Sequence, residues 1–327
     1  MSIAVSDRKP IENSRREKLR KEKPSVLEKI LKYDEKIARG ESVAIVDICF
    51  DYACNMSCTH CCNMKFGKKE RALTIDDLKD FSRQADALGL AQINISGGEP
   101  LVFNDFDAIV AAIDPKKFHI SISTNGLLLD DAMAAHLKKI GIDKVKISLD
   151  SIDQDVYAQT RKNRKAYDKA VAALFAAKNA GLQVSVQTVI SHQTARTLAT
   201  EQLAQFCQEN EFNFDIMIAK AIGKWEGNEE VLLDKEDADY LLELRKKYSL
   251  VQRDVFPSYD SKDGGCVAVL KTLHLTKYGD ILPCGFIHIS IGNIFDEPLK
   301  DIIDRGFKIK FFNTRHPICL SGEDRAF

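Results

Sequence analysis

Val43-Ala-Ile-Val-Asp-Ile-Cys-Phe-Asp51 runs straight into Tyr52-Ala-Cys54-Asn-Met-Ser-Cys58-Thr-His-Cys61, and these two neighbours frame the rest of the chain. The first is an apolar run of strand length. The second is a loop carrying three thiols within eight residues. A strand that delivers ligand atoms from its carboxyl end matches the edge of parallel α/β folds where chemistry gathers.

From this strand to about residue 220, segments of helical and strand period alternate. Thr74-Ile-Asp-Asp opens a helix with Leu78, Phe81, Ala85 and Leu88 spaced by three and four, and Gly89 stops it. Ala91 to Ser96 is the next strand, followed by helical Phe106 to Ile113 and the strand His119 to Thr124. Helical Asp130 to Ile140 leads to the strand Lys144 to Asp150, and helical Lys165 to Ala180 leads to Val184 to Ile190. Helical Thr194 to Glu209 leads to Phe214 to Ala219. Six strands, each separated by one helix, predict parallel pairing, because each crossover must return the chain across the sheet. A doubly wound sheet and an incomplete barrel both satisfy this pattern. Each strand reads as apolar along its body and small or polar at its carboxyl end: Asp51, Ser96-Gly97-Gly98, Ser123 to Gly126, Ser148 to Ser151, Gln187. Those clusters are expected to converge.

The flanks read differently. Within residues 1–42, Arg8, Lys9, Arg15, Arg16, Lys18, Arg20, Lys21 and Lys23 are interrupted by Asp7, Glu12, Glu17 and Glu22. A solvated, partly disordered basic leader is expected. Ser25-Val-Leu-Glu28 has the form of a capping box and opens an amphipathic helix to Ala38, ended by Gly40. Beyond residue 224 the strand–helix rhythm breaks. A helix is expected over Lys235–Lys247, an extended piece at Thr272–Thr276 and a last helix over Pro298–Arg305. Residues 43–224 are thus expected to form the main domain, and 225–327 a small accessory domain against it.

A net charge of −1 gives no support for nucleic acid or an anionic membrane as partner. No apolar stretch approaches the ~20 residues of a membrane span, and the amino terminus lacks a signal-peptide core. A cytoplasmic location is expected, where thiols stay reduced. Nine cysteines that cluster at 49–62 and 266–319, with Cys207 alone, then point to metal ligation rather than disulfides. Cys207 is expected to be a helix-packing residue. Three thiolates in a short loop can hold three corners of an iron–sulfur cube and leave the fourth iron open. The same thiolates with His60 would make a Cys3His zinc site, and spacing alone leaves both open.

Other residues bear on that choice. Gly97-Gly98-Glu99-Pro100 closes the second strand, Ser123-Thr-Asn125-Gly126 the third and Ser148-Leu-Asp150-Ser151 the fourth. With Cys54, Cys58 and Cys61, these motifs resemble the radical S-adenosylmethionine (SAM) superfamily over about residues 43–190. The resemblance implies a partial (β/α)6 TIM-like barrel with a [4Fe–4S] cluster on Cys54, Cys58 and Cys61, the open iron being chelated by SAM. It implies SAM contacts at Gly97, Gly98, Glu99 and Pro100 near the ammonium, and at Ser123, Asn125, Ser148 and Asp150 near the methionine and ribose. His60 stands at a position often aromatic in the family, stacked near adenine. Arg161 is a candidate partner for the SAM carboxylate, with a solvated helix charge as the plain alternative. One electron would break the C5′–S bond of SAM, and the resulting 5′-deoxyadenosyl radical would take hydrogen from an unactivated carbon. Cys62 reads as an inert neighbour.

Cys266, Gly279 and Cys284, with Gly292-Asn-Ile, resemble the start of the SPASM or twitch auxiliary-cluster module, and Cys319 is a third candidate ligand. The resemblance implies a small carboxyl-terminal iron–sulfur domain with an auxiliary [4Fe–4S] cluster. Substrate, water, His316 or Asp324 would fill its fourth site; zinc or plain thiols are the alternatives. The expected activity is an oxidoreductase- or epimerase-type reaction on a small metabolite, fed by a one-electron donor such as flavodoxin or ferredoxin. The rival is a maturase acting on a ribosomally made peptide; residues 1–42 are too few for an in-chain leader-binding domain, which favours the small molecule. A non-catalytic zinc-binding module is the remote alternative.

Overall fold

The structure is a computed structural model, and it describes residues 9–63, 69–253, 265–313 and 316–327. Strands β1 (Ile45–Cys49), β2 (Gln92–Ser96), β3 (His119–Thr124), β4 (Lys144–Ser148), β5 (Gln183–Ile190) and β6 (Asn213–Ile218) pair in chain order, all parallel. Their crossovers are α4 (Ile75–Ala87), α5 (Phe106–Ile113), α6 (Asp131–Ile140), the pair α7 (Gln154–Arg161) and α8 (Ala166–Asn179), and the pair α9 (His192–Ala195) and α10 (Leu198–Glu209). Two crossovers therefore hold two helices where the sequence pattern suggests one. In the second pair the break falls at Arg196-Thr197, where the Thr197 and Thr200 hydroxyls both donate to Thr194 O.

Residues 225–327 do not stack beside this sheet; they extend it. After α11 (Lys235–Lys247), β7 (Val251–Arg253) adds parallel to β6. At the other edge β8 (Thr272–Leu275) pairs parallel with β1, and β9 (Asp280–Leu282) and β10 (Gly292–Asn293) follow antiparallel. The last helices are α12 (Leu299–Lys308) and α13 (Leu320–Glu323).

Strand bodies are not uniformly apolar, contrary to the sequence expectation. Val46, Ile48, Ile93, Ile95, Ile120, Ile122, Val145, Ile147, Val184, Val186, Phe214 and Ile216 are buried against the helices. The alternate residues point the other way, and register lines up Asp47, Asn94, Ser121, Lys144 and Gln183 across five strands. A period of two puts every second side chain on one face. The apolar half drives packing and the polar half lines the inward face of the partial barrel. Cys207 is fully buried in the helix layer, as its helical context suggests.

The basic leader is also different from its expectation. Lys9–Glu22 form α1, followed by α2 (Pro24–Leu31) and α3 (Tyr33–Ala38); Asp7 and Arg8 lie outside the described residues. Lys18 Nζ donates to Gly181 O at 3.1 Å, Lys23 Nζ to Phe118 O and Gly141 O at 3.1 and 3.2 Å, and Lys36 Nζ to Leu88 O at 2.6 Å. Gly141 and Leu88 cap the carboxyl ends of α6 and α4, and Gly181 follows the cap of α8. Each ammonium thus satisfies orphan carbonyls at the negative end of a helix dipole. The lysines strap the barrel at the rim opposite the cysteine loop. Ser25 does not cap α2: Pro24 opens the helix, and Ser25 Oγ donates instead to Lys116 O at 3.1 Å. Proline at the first helical turn removes a donor that had no partner anyway.

Candidate active site at the carboxyl ends of the strands

The cysteine loop leaves β1 and is pinned along its length. Asp51 Oδ1 accepts from Ala53 N at 2.8 Å and Asp51 Oδ2 from Lys277 Nζ at 2.6 Å. Thr59 N donates to Thr160 O at 2.9 Å, and Lys224 N donates to Cys61 O at 3.0 Å. The Gly97-Gly98 pair lies directly on the loop. Gly98 N donates to Asp51 O at 3.0 Å and Glu99 N to Ala53 O at 2.8 Å. A Cβ on Gly98 would sit 2.0 Å from Ala53 O, and one on Gly97 2.3 Å from Asp51 O. Gly97 also has φ +121°, in the region that favours glycine. Only glycine lets β2 end this close to the thiols.

Glu99 is buried, and it ties β2 to β3. Its Oε1 accepts from Thr124 Oγ1 at 2.6 Å and Leu101 N at 3.2 Å, and its Oε2 from Asn125 N at 2.7 Å. Burial raises its pKa, and these donors offset that only in part. Pro100, also buried, starts the single 3₁₀ turn that Glu99 caps. Asn125 Nδ2 donates to Asn55 Oδ1 at 2.7 Å, one residue beyond Cys54. Ser123 Oγ accepts from Asn94 Nδ2 at 3.3 Å, and Ser148 pairs in register with Gln187.

Arg161 is not a solvated charge. It is buried at the end of α7, with Nε 2.6 Å from Asp150 Oδ2, Nη2 3.0 Å from Asp150 Oδ1 and Nη1 3.8 Å from Cys58 Sγ. Burial acts to raise the Asp150 pKa, but Arg161 and further donors outweigh it and hold the carboxyl below the usual range. The bidentate pair bridges β4 to the cysteine loop. Burial pushes the Cys54 thiol up, and the neighbouring Glu99, Cys58 and Cys61 add to the effect. His60 is buried too; burial lowers its pKa to about 4, and its Nδ1 has no hydrogen-bond partner among the described residues.

The sequence reading missed two features. Gly223-Lys224-Trp225, a 3₁₀ turn after β6, clamps the cysteine loop: a Cβ on Gly223 would lie 2.3 Å from Cys61 O, Lys224 Nζ reaches Ser57 Oγ at 3.0 Å, and the Trp225 ring centroid is 5.7 Å from that of His60. The second is the polar inward face itself. Asp47 Oδ2 lies 2.8 Å from His274 Nδ1 and accepts from Ser96 Oγ at 2.8 Å, while Asp47 Oδ1 accepts from Asn94 Nδ2 at 2.5 Å. The alternation in Lys144-Val-Lys-Ile-Ser148 is the signal that would have found it.

The accessory cysteines come from three segments that backbone hydrogen bonds tie together, with Val269 N donating to Pro283 O at 2.9 Å. Cys266 N donates to His316 O at 2.8 Å, which brings Cys266 beside the segment leading to Cys319. Cys319 N donates to Glu323 Oε2 at 2.9 Å, and Asp324 Oδ1 accepts from Ala326 N at 2.9 Å. Cys284 sits in a turn whose next residue, Gly285, approaches His274 and Asp47. Among the described residues, only His192, Asp234 and Asp237 put three metal-competent atoms within 4.8 Å of one another. Those three already serve structure: Asp234 and Asp237 form the capping box of α11, and Asp237 also pairs with His192 and Arg196.

The donor set suits a group larger than one ion. Four ligands around a single zinc at ~2.3 Å would stand about 3.8 Å apart, whereas the thiols of Cys54, Cys58 and Cys61 are not gathered that closely. Together with the glycine cradle and the unpartnered His60 Nδ1, this fits an iron–sulfur cluster with a ligand beside it.

Residues 48–203 match the family model described as the Radical SAM superfamily, and the chain carries a radical SAM domain. The cofactors of this family are a [4Fe–4S] cluster and SAM. A probable GTP 3′,8-cyclase of Methanocella arvoryzae is 34% identical over 145 residues, covering 44% of this chain and 47% of that protein. An AdoMet-dependent heme synthase of Methanosarcina barkeri is 21% identical over 301 residues, covering 83% of this chain and 84% of the relative. The match to the cyclase thus spans about half of its length. Among solved structures, Streptococcus suis SuiB bound to precursor peptide SuiA superposes with TM-score 0.64 at 18% identity, covering 88% of this chain and 70% of SuiB. Native anSMEcpe with bound AdoMet superposes with TM-score 0.62 at 18% identity, covering 85% and 83%. These likenesses establish a partial TIM-type barrel. Among the described residues no helix is long and apolar enough to cross a membrane.

Proposed function

We propose that this radical SAM enzyme holds its [4Fe–4S] cluster on Cys54, Cys58 and Cys61 and takes hydrogen from an unactivated carbon of a small metabolite, in a dehydrogenation or epimerisation. The observation that carries this reading is the contact of Gly97-Gly98 and Asn125 with residues 51–55, which seats three strand ends around one loop. With cluster and SAM bound, one-electron reduction, from a donor such as flavodoxin or ferredoxin, supplies a 5′-deoxyadenosyl radical.

The chain's own residues do the positioning. Glycine at 97 and 98 lets β2 end against the backbone of the cysteine loop, and this stretch is the proposed neighbour of the SAM ammonium. Glu99 fixes the β2 and β3 ends relative to each other, and Ser123, Asn125 and Ser148 offer polar groups along the same rim. Asp150 and Arg161 neutralise each other, so Arg161 sets a positive guanidinium edge beside Cys58 without an uncompensated buried charge. His60 and Trp225 cover the loop and exclude water. Cys266, Cys284 and Cys319 are the proposed ligands of an auxiliary cluster.

The test is deuterium transfer. Anaerobically reconstituted protein is given SAM, reductant and a deuterated cell extract split into a small-metabolite and a peptide fraction. Deuterium in 5′-deoxyadenosine from the metabolite fraction is expected. Transfer from the peptide fraction alone would contradict the substrate class.

A further inference from the structure

The inward face carries a charge that the site at the rim does not use. Register places Lys146 between Ser123 of β3 and Ser185 of β5, one step from Lys144 towards the carboxyl rim. The other charged side chains on this face are matched. Asp47 faces His274 Nδ1 at 2.8 Å, and Lys144 Nζ lies 3.1 Å from Asp215 Oδ2. Lys146 is half-buried, and its ammonium makes no hydrogen bond or ion pair with any described residue. Asp47 and Asp215 act on it only from a distance, and burial together with Lys144 lowers its pKa. The face is open to small molecules: the side chains of Asp47, Asp215 and Lys144 remain 28%, 24% and 18% exposed.

An ammonium holds out three donors and accepts nothing. Partly desolvated and with no protein acceptor in hydrogen-bond reach, it carries its charge at a cost. A carboxylate or phosphate that enters the barrel removes that cost and gains charge-assisted hydrogen bonds. Ser123 and Ser185 flank the position with hydroxyls, and Ser148 lies one step nearer the rim on the same strand face. An anion on Lys146 would therefore hold the rest of its molecule beneath the rim where the hydrogen is taken.

We propose that Lys146 anchors an anionic group, carboxylate or phosphate, of the substrate, so that the substrate is an anionic metabolite. The assignment rests on the proposed function above in taking this face as the substrate side. Malonate and inorganic pyrophosphate serve as probes, each tested on the full reconstituted chain by trace acetylation of lysines read by mass spectrometry. One of them should cut labelling of Lys146 about tenfold at ten times its Kd, while Lys235, 89% exposed, stays unchanged. Protection by malonate assigns a carboxylate; protection by pyrophosphate assigns a phosphate. Calorimetry should show binding of that anion lost in Lys146→Met and kept in Lys146→Arg. Unaltered labelling with both anions, or binding by Lys146→Met equal to wild type, overturns the assignment; should the variant not fold, the wild-type labelling stands by itself. Formation of 5′-deoxyadenosine by the same preparation is scored separately. Protection without it leaves the anion site and sinks the enzymatic reading, and the converse holds for cleavage without protection.

Discussion

Gly98→Ala strikes the contact between the glycine pair and the cysteine loop. The new Cβ would lie 2.0 Å from Ala53 O, 2.5 Å from Ala53 C and 2.5 Å from Tyr52 O, all backbone atoms that cannot rotate away. Relief to about 3.0 Å needs a backbone shift of about 1 Å next to Cys54, at an overpacking cost of about 1–3 kcal/mol. The same shift breaks the bonds from Gly98 N to Asp51 O and from Glu99 N to Ala53 O, each worth about 1 kcal/mol net. The total is about 3–5 kcal/mol. An unfolding entropy of about 2.1 cal/mol/K per residue gives a chain of this length about 0.7 kcal/mol/K, so Tm should fall by about 4–7 °C. Iron and sulfide content after anaerobic reconstitution should drop with it. Gly181→Ala is the control: its φ of +76° is strained, but nothing lies within 4 Å of the added Cβ, so cluster content should hold. A Gly98→Ala protein with wild-type iron and unchanged Tm would refute the cradle.

Other perturbations test other parts. Lys23→Met leaves Asp143 without its ammonium in a pair whose side chains are only 11% and 10% exposed, and chemical denaturation should show a loss of about 3–5 kcal/mol. Burial lowers the pKa of His119 to about 4 from 6.5, against Asp143, which raises it, and with Lys23, Lys144 and Lys146, which lower it further. Between those values the unfolded chain binds more protons, so stability should fall as pH drops from 6.5 to 4, by up to about 3 kcal/mol. In His119→Gln that component should vanish from the pH–stability curve. Arg161→Gln leaves Asp150 buried without its cation; SAM binding by calorimetry should weaken at least tenfold, and Arg161→Lys should not restore it, because only the guanidinium meets the carboxylate in two places.

The succession of strands and helices and the polar strand ends can be read from the sequence because both rest on local pattern, whereas that pattern leaves the strand order open between a doubly wound sheet and an incomplete barrel. Apolar positions such as Ile93 and Ile95 announce strands, and the glycine pair closes the next strand after the thiols, with one helix between. The inward face is harder: Asn94, Ser121 and Lys146 are polar singletons between isoleucines and valines, easily averaged into an apolar run. The lysine strap is invisible for a different reason. Lys23 and Lys36 look like surface charges until the helix ends they cap are placed. Gly223-Lys224-Trp225 carries no motif, and its grip on Cys61 arises from a contact over more than 160 residues. The addition of β8 beside β1 is likewise set by a long-range pairing, whose register no local period encodes.

The most direct measurement is 5′-deoxyadenosine formation by anaerobically reconstituted protein with SAM and a strong reductant, compared between wild type and Cys54→Ala. Wild type should produce it, and the variant should lose it along with part of its iron. Cleavage of SAM by Cys54→Ala at the wild-type rate would place the reactive cluster elsewhere.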